Sequence, residues 1–65
     1  MPEGRVVAFD EVRGLGEIES GDRRYPFHCT EIADGTRTIA VDAAVTFEIN
    51  PGKLGRWEAT TIRPA

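Results

Sequence analysis

Hydrophobic and polar positions alternate along this chain in short runs broken by turn residues, and no segment holds a helical period long enough to predict a helix. Arg5-Val6-Val7-Ala8-Phe9, β-branched and aromatic and ended by Asp10-Glu11, predicts a first strand. Leu15-Gly16-Glu17-Ile18-Glu19 puts Leu15, Glu17 and Glu19 on one face and Ile18 on the other, then meets a Ser20-Gly21-Asp22 turn, which predicts a second strand in a hairpin. A third strand, Tyr25-Pro26-Phe27-His28-Cys29, alternates Tyr25 and Phe27 against Pro26 and His28, and its proline requires an edge position or a missing ladder bond. A long connection from Thr30 to Ala43 carries an Asp34-Gly35 turn, with Ile39 and Val41 as anchors onto the core.

The clearest alternation is Val45-Thr46-Phe47-Glu48-Ile49, a fourth strand followed by the loop Asn50-Pro51-Gly52-Lys53-Leu54-Gly55. Trp57 to Ile62 predicts a fifth strand, stopped by Arg63-Pro64. Five short strands with a long connection after the third fit a small antiparallel Greek-key barrel in an all-β chain. Alternation puts Tyr25 and Phe27 on one face of the third strand and Val45, Phe47 and Ile49 on one face of the fourth, and these with Val6, Ile18 and Ile62 are the expected core.

Length narrows the picture: 65 residues make one domain, residues 1–65, with no room for a second core or for a multidomain enzyme. A single cysteine, Cys29, excludes an intramolecular disulfide and points to a reducing compartment, so the expectation is a cytoplasmic chain. The start, Met1-Pro2-Glu3-Gly4-Arg5, has no leader pattern, and no apolar stretch approaches a membrane span, so no membrane partner is expected. Eight basic against eleven acidic residues give a net charge of -3, which does not draw the chain to nucleic acid as a whole. Arg23 and Arg24 are adjacent, while Arg5, Arg13, Arg37, Arg56 and Arg63 are scattered, so any basic patch must be assembled by folding; a solvated spread of charge is the plainer reading.

The blocks along the chain carry a resemblance. Gly4-Arg5-Val6-Val7-Ala8-Phe9-Asp10 is similar to Gly-x-Val-Lys-Trp-Phe-Asn of the bacterial cold-shock domains, and Arg13-Gly14-Leu15-Gly16-Glu17-Ile18 resembles their Lys-Gly-Phe-Gly-Phe-Ile. Phe27-His28-Cys29-Thr30-Glu31-Ile32 resembles Val-His-Phe-Ser-Ala-Ile, Gly35-Thr36-Arg37-Thr38-Ile39 resembles Gly-Phe-Arg-Thr-Leu, and Val45-Thr46-Phe47-Glu48-Ile49 resembles Val-x-Phe-x-Ile. The five blocks stand in the family's order and cover nearly the whole chain. The resemblance implies an oligonucleotide-binding (OB-fold) barrel that stacks single-stranded RNA or DNA on aromatic side chains of its first three strands, as a monomer and without a cofactor.

The same alignment empties that platform. Ala8 stands where the family has its exposed tryptophan, Leu15 and Glu17 replace the two phenylalanines of the glycine motif, Pro26 and Cys29 those of the third strand, and Thr36 the one in the later loop. Each stacked base contributes about 1–3 kcal/mol, so the resemblance implies weak or altered binding, and Glu17 adds a carboxylate that repels phosphate. Phe9, Arg13, Leu15, His28 and Arg37 remain as the candidate nucleic-acid-binding positions. For Phe9 the alternative is packing under a loop, and for His28 it is an ordinary surface histidine. Cys29 beside His28 lacks the further ligands of a zinc site and the third group of a nucleophile, so neither a metal nor an enzyme is expected. The alternative function is a protein-interaction module that kept the barrel and gave up nucleic acid, with Trp57, Leu54 and Leu15 as its apolar contact patch.

Overall fold

The computed structural model describes residues 2–52 and 55–65. The opening β-branched run forms β1 (Glu3–Asp10), and the two runs after it form β2 (Leu15–Ser20) and β3 (Arg23–His28). β4 (Ala44–Pro51) and β5 (Trp57–Pro64) follow the long connection. The third strand stops at His28 rather than Cys29 because the chain turns there into a single 3-10 turn, Cys29–Glu31, capped by the His28 side chain. Arg63 and Pro64 do not stop β5 early; Arg63 pairs with Thr46 and Pro64 with Val45.

All pairings are antiparallel, in the order β3-β2-β1-β4-β5. Pro26 therefore sits on an edge strand, where its missing N–H costs no ladder bond. The five-stranded sheet is consistent with a small barrel-like fold, but it is not closed into a barrel by strand pairing. Its edges β3 and β5 approach within 8 Å between Cα atoms, and Ile32 bridges Ile62 in parallel, with Ala33 N–H donating to the Ile62 carbonyl at 2.9 Å.

Val6, Ile18, Phe27, Ile32, Val45, Phe47, Ala59 and Ile62 are buried together inside the coil. Tyr25 is half-buried, its ring tilted 50° against Phe47 at 5.6 Å between centroids. Ile49, assigned to the core by alternation, is instead 38% exposed. The reason is in the register: β1 covers β4 only at Ala44, Val45 and Thr46, so Ile49 lies where β4 has β5 alone beside it. In the long connection Ile39 packs against the core while Val41 stays exposed. Ile32 and Ala59 enter the core without a strand alternation to announce them, Ile32 through the 3-10 turn and Ala59 as the small cross-strand partner of Ile49.

Two bulges break the strict alternation. In β1, Val6 pairs with Ile18 and Ala8 with Glu17, so Val7 is the extra residue, and Val6 points inward while Ala8 faces solvent. In β5, the pairing passes from Arg63 to Thr60 while β4 advances from Thr46 to Glu48, and Thr61 takes a left-handed φ of 50°. A β-branched residue is strained there by about 1–2 kcal/mol. Thr61→Asn is expected to stabilise the fold by about 1 kcal/mol, read as a higher urea midpoint at unchanged slope.

Candidate nucleic-acid interface

Register builds the outer face of β1, β2 and β3 in rows. Asp10, Leu15 and His28 lie opposite one another across the three strands, Ala8, Glu17 and Pro26 form the next row, and Glu19 faces Arg24 beyond. Side chains in a row stand about 5 Å apart on one face, so this is a continuous surface rather than a set of isolated positions. Between the first two rows Phe9, Gly16 and Phe27 are aligned with the opposite orientation. The Phe9 and Phe27 rings stack across Gly16, 7° from parallel with centroids 6.0 Å apart. Gly16 is required there: a Cβ would collide with the Phe27 ring and come within 2.8 Å of the Ala8 carbonyl oxygen.

The result is a shallow groove of about 380 Å³, walled by Ala8, Leu15, Glu17 and Pro26, with the Phe9 and Phe27 rings in its floor and Arg56 reaching it from the β4–β5 side. The Phe9 ring packs against the core and also lines the groove. Leu15, 47% exposed, separates this groove from a second hollow that holds His28 and Glu58. Thr30 N–H donates to His28 Nδ1 at 3.3 Å, and the Thr30 hydroxyl lies 3.0 Å from the same nitrogen. Nδ1 thereby accepts the Thr30 N–H as the cap of the 3-10 turn, which in the tautomer this bond favours leaves the ring N–H on Nε2.

Phe9, Leu15 and His28 are thus brought together, and Arg13 and Arg37 are not: among the described residues neither lines the groove or the hollow. Arg13 rides the β1–β2 turn, where Asp10 Oδ1 accepts from the Val12 and Arg13 N–H groups at 3.0 and 3.2 Å, and Gly14 takes a φ of 69°. Its guanidinium Nε is 3.9 Å from Asp10 Oδ2. Arg37 stands in the long connection with a left-handed φ of 60°. The preceding turn is closed by Asp34, whose Oδ1 accepts from the Thr36 N–H at 3.0 Å and the Thr36 hydroxyl at 2.8 Å. The Thr36 backbone bond, then its hydroxyl, hold the Asp34 carboxyl below the ordinary aspartate range, so the turn is complete at neutral pH. Thr36, where the resemblance has a ring, is thus committed to this turn.

The electrostatics soften the repulsion expected of Glu17. Glu17 Oε1 lies 4.0 Å from Arg24 Nη1, and the same guanidinium reaches Glu19 Oε2 at 3.4 Å. Each carboxylate of the groove therefore has an arginine beside it, Asp10 with Arg13 and Glu17 with Arg24. Such exposed pairs stabilise the fold by at most about 1 kcal/mol, yet they cut the local negative field. Cys29 Sγ is 3.9 Å from His28 Nδ1, and among the described residues no three His, Cys, Asp or Glu side chains gather as a metal site.

Arg56 is the groove residue that sequence reasoning left among the scattered cations; its contribution depends on the β4–β5 hairpin folding back toward β3, which no local pattern encodes. Of the apolar patch expected from Trp57, Leu54 and Leu15, Trp57 is 53% exposed but lines a different hollow from Leu15, and Leu54 lies outside the described residues. No family model matches the chain, and no curated protein matches it.

Proposed function

We propose that this chain is a divergent OB-fold barrel of the cold-shock type that binds single-stranded RNA or DNA on the β1–β2–β3 face, in a weakened form and without a cofactor. The observation that carries the reading is the groove: the half-buried Phe9 ring backed by the buried Phe27, Leu15 and Pro26 as apolar walls and Arg56 at its side, with the carboxylates of Asp10 and Glu17 each beside an arginine. A nucleobase needs an apolar or aromatic surface for its face, and its phosphate needs a cation within reach; both are present within one concavity. His28 adds a ring and a donor at the next hollow. The strand order, the long connection after β3 and the five sequence blocks support the same assignment.

The test is a titration of labelled oligo-dT and of a mixed single-stranded RNA, about 7–12 nucleotides long, at low and moderate salt. Wild-type protein is expected to bind saturably, and Phe9→Ala with His28→Ala to weaken binding about tenfold or more. Glu17→Phe, which restores a ring and removes a charge, is expected to tighten it by a similar factor. No binding up to about 100 μM at low salt by the folded chain would end this reading and favour the protein-interaction alternative.

A further inference from the structure

Folding assembles one basic patch that the sequence leaves dispersed. Arg23 and Arg24, at the start of β3, and Arg56, just before β5, come together around Trp57 in an open hollow of about 290 Å³ that Tyr25 and Pro26 complete. Three of the chain's seven arginines thus meet at its single tryptophan, in a protein whose net charge is -3. Two features hold the arrangement. Gly52 N–H donates to the Arg56 carbonyl at 2.6 Å, closing the base of the β4–β5 hairpin, and Trp57 pairs with Pro51 at the first rung of β5. Arg24 is engaged by Glu17 and Glu19, whereas Arg23 and Arg56 form no ion pair among the described residues.

An exposed indole beside two such guanidinium groups matches the chemistry of a nucleotide, a flat base to stack and phosphates to neutralise. The hollow adjoins the groove, since Pro26 and Arg56 line both. We propose that a single strand running over the β1–β2–β3 face continues across Pro26 into this hollow, where one base stacks on Trp57 and the flanking phosphates meet Arg23 and Arg56. This rests on the reading of the face as a single-strand binder and adds a subsite that compensates for its missing rings.

Trp57 emission reports the subsite directly, because no other tryptophan is present. Oligo-dT of about 10 nucleotides is expected to quench it saturably. In anisotropy titrations of the same labelled strand, Arg23→Gln, at a residue that lines the hollow and not the groove, is expected to lower affinity about threefold and to reduce the salt slope by about 0.7, one phosphate. Trp57→Ala, checked for folding by circular dichroism, is expected to cost about tenfold. Unchanged emission at saturation, with Arg23→Gln and Trp57→Ala binding like wild type and the Phe9/His28 variant weakened, overturns the subsite and leaves the groove reading standing. Loss in Arg23→Gln and Trp57→Ala with no effect at Phe9 and His28 keeps the subsite and overturns the groove. No binding by wild type overturns both.

Discussion

Phe47→Ala is expected to leave the chain largely unfolded at room temperature. Phe47 is completely buried, it meets the Tyr25 ring, and it occupies the middle of the core between β4 and the strands that coil over it. Truncating a buried phenylalanine to alanine costs about 3–5 kcal/mol, the lost transfer free energy plus the cavity left behind. A native domain holds about 0.05–0.15 kcal/mol per residue, so the cost is comparable with the whole stability of a chain this short. Far-ultraviolet and near-ultraviolet circular dichroism with a urea titration would check it: retention of a cooperative transition within about 1 kcal/mol of wild type would mean that the core collapses around the gap.

Gly16→Ala is expected to have the second-largest effect, and to join stability to the site. The new methyl group would occupy the space in which the Phe27 ring lies and press on the Ala8 carbonyl 2.8 Å away, a backbone atom that can yield only by parting β1 from β2. Overpacking of this kind costs about 1–3 kcal/mol. The Phe9–Phe27 stack is the floor of the groove, so the variant should lose nuclear Overhauser contacts between the two rings and bind oligo-dT more weakly. Wild-type stability with the ring contacts intact would show that the three-strand row has slack that the distances deny.

The contrast between what the chain announces and what it conceals follows from range. Val45, Phe47 and Ile18 lie in regular strands, where a period of two places a side chain without any knowledge of its neighbours, and each is buried as its alternation requires. Ile49 obeys the same alternation and is exposed, because its cover depends on how far β1 extends along β4. The inversion at Ala8 depends on the Val7 bulge, a matter of pairing between strands. Of the candidate positions, Leu15 and His28 come from the resemblance, and they meet across one register pair because both sit at outward positions of neighbouring strands. Arg56 reaches the groove only through the approach of β5 to β3, about thirty residues apart in sequence, which no local pattern encodes, whereas Arg13 and Arg37, named from the resemblance, lie on loops outside its lining.

The sparse pairing between β1 and β4 has a kinetic consequence. Only three register pairs, Glu3 with Thr46, Gly4 with Val45 and Arg5 with Ala44, join the meander of β1, β2 and β3 to the β4–β5 hairpin, although each half is well paired within itself. Each half is made of local contacts of the kind that form in about 1–10 μs, whereas their union must first close the connection between them and receives little ladder bonding in return. The encounter of two nearly finished halves, driven by the apolar faces they share, is therefore expected to limit the folding rate, and Val45→Ala, at the residue that pairs with both Gly4 and Pro64, is expected to slow refolding in stopped-flow measurements.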